Sequence, residues 1–93
     1  MRFPTSEEVA NNLKTILPPT IPEEGMEVRL CVFGGGDFLM YAGPRPTPLG
    51  PSPSGYWGTG TVLPNSSVYS VARGLLANAH DQWARGEHSE SNP

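Results

Sequence analysis

MEVRLCVFGGGDFLMYA, residues 26–42, holds two β-rich runs separated by three glycines and an aspartate. In the first run Val28, Leu30 and Val32 share one side, while Glu27, Arg29, Cys31 and Phe33 share the other. That two-residue period is the mark of a strand with one buried face. Gly34, Gly35 and Gly36 followed by Asp37 suit a tight reversal, so residues 38–42 return as a second strand and the stretch reads as a β-hairpin. A phosphate-cradling glycine loop would run into a helix N-terminus and often carry a lysine, whereas here a strand follows.

Upstream, Thr5-Ser6-Glu7-Glu8 has the form of a capping box that starts a helix. Val9, Leu13, Ile16 and Leu17 fall on one helical face, and Pro18-Pro19 forbids continuation, which predicts a helix over 6–17. Gly25 in the connector is free to adopt a positive φ. Downstream, residues 56–63 alternate Trp57, Thr59, Thr61 and Leu63 against Tyr56, Gly58, Gly60 and Val62, a third strand that completes an antiparallel sheet. After Pro64, the run Asn65-Ser66-Ser67 offers N-caps for a longer helix. Its buried face carries Val68, Val71, Ala72, Leu75, Ala79 and Trp83, with Gly86 as its left-handed terminator.

The expected fold is α+β, in the order α-β-β-β-α, with an N-terminal and a C-terminal helix on one face of a three-stranded antiparallel sheet. Ninety-three residues suit one core, so residues 1–86 form a single domain. A proline-rich loop, GPRPTPLGPSPSG, occupies 43–55, and the polar residues 87–93 form a disordered tail. The loop joins two strands of one sheet, so it is not an interdomain linker. It reads either as a mobile connection or as an arm that contacts a partner.

One cysteine, Cys31, excludes an intrachain disulfide and a paired-cysteine metal knuckle. No apolar run reaches the length of a membrane span or a signal peptide, which points to a cytoplasmic protein. The net charge is −3, and the six cations are scattered rather than striped, which disfavours duplex nucleic acid. Aromatic residues on a sheet could stack single-stranded bases, but the flanking cations are sparse and no RNP1 pattern is present. His80 and Asp81 diverge by about 100° on a helix and His88 lies in the tail, so these residues read as surface rather than as a metal site. Cys31 reads as a structural thiol, and no G-x-S-x-G elbow or paired-carboxylate arrangement supports catalysis. No cofactor and no metal is implied.

The remaining signal is the sheet's second face. Two small helices cover one side of the sheet but hardly both, which leaves Arg29, Phe33, Tyr41, Trp57 and Thr59, with Arg45 in the proline-rich loop, as a candidate partner surface. Leu39 would share that face. Gly58 and Gly60 give up side-chain packing inside a strand. They either admit the long helix at its small residues Ala72 and Ala79 or floor a ligand groove, for which the proline-rich loop would be the lid.

Glu27-Val28-Arg29-Leu30 and Gly55-Tyr56-Trp57-Gly58 resemble a loose set of short phage and prophage proteins. In these an acidic-Val-Arg-Leu strand precedes a Gly-aromatic-Trp-Gly strand and a helix, with an aspartate-rich segment where this chain is proline-rich. The resemblance implies a small accessory protein of a mobile element that binds a host protein. The reading that follows is a non-enzymatic protein-binding module, an inhibitor or adaptor of a host protein or a homodimer. The alternative is a small-ligand or nucleotide-binding sensor.

Overall fold

The computed structural model describes residues 2–44 and 55–86. Helix α1 (Ser6–Ile16) precedes strand β1 (Met26–Val32), a 3-10 turn at Gly34–Gly36, strands β2 (Phe38–Gly43) and β3 (Tyr56–Val62), and helix α2 (Val68–Ala84). The sheet order is β2-β1-β3, with both outer strands antiparallel to β1. One apolar core joins Val9 and Leu13 of α1, Val28, Leu30 and Val32 of β1, Val62 of β3, and Ala72, Leu75 and Ala79 of α2, so both helices lie on one face.

Local chemistry explains the boundaries. The Thr5 side chain accepts from the Glu8 amide at 3.1 Å, and the Glu8 carboxylate accepts from the Thr5 amide at 2.8 Å, forming the expected capping box. Leu17, immediately before Pro18, is already extended, so α1 stops at Ile16. At the hairpin Gly35 and Gly36 take φ of 92° and 96°, and the Phe33 amide donates to the Asp37 carbonyl at 2.8 Å. Ser67 caps α2 by accepting from the Ser70 amide, and Gly86 ends it at φ 75°. Lys14 donates to the Tyr69 hydroxyl at 3.1 Å and ties α1 to the first turns of α2.

The third strand pairs with β1 and not with β2, so β2 and β3 run parallel to each other and residues 44–55 connect opposite ends of the sheet. The expected proline-rich loop lies mostly in residues 45–54, and the expected disordered tail in 87–93, both outside the described residues. Its first residue, Gly43, belongs to β2. Among the described residues no helix is long and apolar enough to cross a membrane.

Among the described glycines the closest approach of another element is at Gly58, where β3 meets α2. A Cβ on Gly58 would overlap the backbone carbonyl of Leu75, so the helix rests directly on the strand's main chain. Ala72 and Ala79, one turn to either side of Leu75, are fully buried and small enough to permit that approach. Gly60 is less constrained, because its Cβ would sit 3.5 Å from Leu75 Cδ2, an ordinary contact. Gly58→Ala should therefore lower stability in urea denaturation by about 3 kcal/mol, the upper range for overpacking a core. Gly60→Ala should stay within about 1 kcal/mol of the parent. Equal behaviour of the two variants would refute this packing.

Candidate functional site

The register assembles the helix-free face. Arg29 lies between Tyr41 and Thr59, Cys31 between Leu39 and Trp57, and Glu27 between Gly43 and Thr61. Arg29, Tyr41, Trp57 and Thr59 are thus brought together as their alternation predicts. Phe33 sits one residue beyond β1 and is half-buried near Gly55, while Arg45 lies outside the described residues.

Arg29 does not offer its charge to solvent. Its Nε and Nη2 both donate to Glu27 Oε2, at 3.1 and 2.9 Å, and the two side chains are only 13% and 20% exposed. A two-residue step along a strand returns to the same face, which is why these neighbours meet. The face therefore presents a neutralised pair at its centre.

The two rings flank this pair. Tyr41 on β2 and Trp57 on β3 stack with centroids 6.4 Å apart and planes 18° apart. Their strands are separated by β1, a span of about 9.5 Å, so the rings lean inward over the central strand. Trp57 is the correction to the sequence reading: it lies on the expected face but is only 9% exposed, and its indole Nε1–H is buried without a partner among the described residues. Leu39 and Tyr41 remain 49% and 43% exposed, and Thr59 is exposed. The accessible apolar part of the face is its β2 side.

A groove floored by Gly58 does not fit the structure, because the Leu75 backbone already occupies that space. Two clefts among the described residues lie elsewhere. One, of about 510 Å³, is lined by Pro18, Thr20, Pro22 and Pro44, and the other, of about 400 Å³, by Phe3, Arg73, Leu76 and His80. Trp83, expected on the buried face of α2, is exposed there; its ring meets Phe3 at 5.8 Å and His80 at 5.2 Å. His80 is thus held in an aromatic cluster. Among the described residues no three His, Cys, Asp or Glu side chains are grouped to hold a metal.

Two residues that the sequence reading passed over take up main-chain groups on the outer edge of β3. Gln82 Oε1 accepts from the Trp57 amide at 2.6 Å, and Asn78 Nδ2 donates to the Thr59 carbonyl at 3.1 Å. Four residues of helix and two of strand each advance about 6–7 Å, so the i, i+4 pair on α2 matches the i, i+2 pair on β3. That spacing is visible in the sequence, but it gains meaning only once the helix is known to lie along this edge.

Comparison with protein-family models, curated proteins and solved structures finds no match to this chain.

Cys31 is fully buried, and burial pushes its thiol from 9.0 up to about 11. A neutral, enclosed thiol is a poor nucleophile, so a thiol reagent should label the native protein far more slowly than the urea-unfolded chain. The unfolded thiol loses its proton first. Stability contributed by Cys31 is therefore fully present below pH 9 and is lost as pH rises to about 11. Urea midpoints across that range should fall less steeply for Cys31→Ala than for the parent; parallel curves would contradict the assignment.

Proposed function

We propose that the protein is a non-enzymatic binding module that docks another protein on the helix-free face of its sheet, as an adaptor or inhibitor. The observation that carries this reading is the exposure of Leu39 and Tyr41, side by side on β2, on a face where the Arg29 charge is already paired with Glu27. Interface centres favour aromatic and apolar groups and avoid unpaired charge, because burying an uncompensated charge costs more than the contact returns. Tyr41 supplies a ring of limited flexibility, already held by stacking on Trp57, so little side-chain freedom is lost when a partner covers it.

Arg29 and Trp57 then act from beneath. The Glu27–Arg29 pair keeps the floor neutral, and Trp57 sets the tilt of Tyr41. The resemblance to phage accessory proteins agrees with an adaptor or inhibitor of a larger host protein. The buried, protonated Cys31 accords with a role that does not involve covalent chemistry.

A photocrosslinking amino acid placed at Thr59, on the face, should capture a discrete protein in cells of the source organism. The same group at Asn11, on the exposed side of α1, should not. Tyr41→Ser should reduce the Thr59 capture at least about tenfold while leaving the fold intact, as expected for loss of an aromatic anchor. Equal capture from both positions, or capture indifferent to Tyr41, would count against the proposal.

A further inference from the structure

The sheet has two outer edges, and the molecule treats them differently. The Phe33 amide bonded to the Asp37 carbonyl sets the phase of the β1–β2 ladder. Counting back in the antiparallel register, Cys31 with Leu39, Arg29 with Tyr41 and Glu27 with Gly43 exchange main-chain hydrogen bonds. The N–H and C=O groups of Phe38, Met40 and Ala42 consequently point away from β1. The opposite edge checks this phase: there the outward groups are those of Trp57, Thr59 and Thr61, and α2 reaches two of them, with Gln82 taking the Trp57 amide and Asn78 the Thr59 carbonyl. Among the described residues no hydrogen bond from outside the sheet reaches Phe38, Met40 or Ala42.

An edge strand left open usually carries a charge, a proline or a bulge that deters pairing. FLMYAG, residues 38–43, has neither a charge nor a proline, and it pairs with β1 in unbroken register. We propose that β2 is a self-pairing edge: two copies of the chain join antiparallel along β2, about a two-fold axis at Met40, into one continuous six-stranded sheet.

The register argues for a second copy as the occupant. Centring on Met40 pairs Phe38 with Ala42 of the second copy, Met40 with its own counterpart, and Ala42 with Phe38. All three outward residues are used, with about six main-chain hydrogen bonds. On the helix side a large Phe38 faces a small Ala42. On the open face Leu39 faces Tyr41 of the second copy and Tyr41 faces Leu39, so the two largest exposed apolar groups of the strand cover each other. No like charges meet on this strand, although the chain carries a net −3. The axis is perpendicular to the sheet, so both helix layers stay on one side and the two helix-free faces merge into one.

Two six-residue strands bury less than the roughly 1,200 Å² of a standard interface, so association should be reversible, with a midpoint on the order of tens of micromolar. The inference rests first on main-chain groups of the edge; it shares Leu39 and Tyr41 with the binding reading above, and Thr59, on the far strand, separates the two.

Sedimentation of the 93-residue chain from about 5 µM to about 1 mM should show a mass rising from 10.0 kDa toward twice that value. Over the same range, amide exchange at Phe38, Met40 and Ala42 should slow by about tenfold, while the Leu39 and Tyr41 amides, already bonded to β1, should not change. Leu39→Lys, at an exposed position, should remain monomeric. Thr59→Lys, on the far strand, should still pair, even where it abolishes capture of a partner on the face. A constant monomer mass would overturn the proposal, as would a dimer whose Phe38, Met40 and Ala42 amides exchange as in the monomer.

Discussion

The contact between Gly58 and the Leu75 backbone sets the rest of this structure. A helix normally stands off a sheet by the thickness of two side-chain layers, but here one layer is missing at the crossing point. Because α2 lies so low on β3, the side chains of Asn78 and Gln82 reach around to the strand's outer main chain and bond the Thr59 carbonyl and the Trp57 amide. The same descent brings Ala72 and Ala79 into the core beside Val28 and Leu30. One absent Cβ thus determines how the helix sits, which strand edge is closed and how the central strand is buried.

Most of the architecture was legible because each signal is local. The Thr5/Glu8 capping box, the alternation of residues 26–33, the three glycines and the i, i+3, i+4 stripe on α2 all act within a few residues. The placement of β3 beside β1 was not written locally. It depends on whether the free edge of β1 or that of β2 gains more from pairing, and the chain between β2 and β3 is long enough for either choice.

The face was read correctly for membership and incorrectly for depth. Alternation assigned Arg29, Cys31, Tyr41, Trp57 and Thr59 to one side, and they are there. Periodicity says nothing about tilt, however. Trp57 bends over the central strand and is buried, and Arg29 turns along its own strand to Glu27. Both outcomes are contests between solvent and a neighbour one or two strands away, which a pattern of sides does not record. Trp83 shows the converse: its helical phase points toward the core, but the ring is exposed and meets Phe3 and His80 instead.

The central position of β1 also bears on how the chain acquires its shape during synthesis. On a ribosome, β1 and β2 emerge together and can close their hairpin at once, because their contacts are near in sequence. The other flank of β1 waits until residues 56–86 have been made, and β3 in turn has no bed for its glycine until α2 arrives to lie on it. The last third of the chain therefore joins as a strand-helix unit, and a nascent chain arrested before α2 exposes a naked ladder on a strand that the finished protein pairs along both edges.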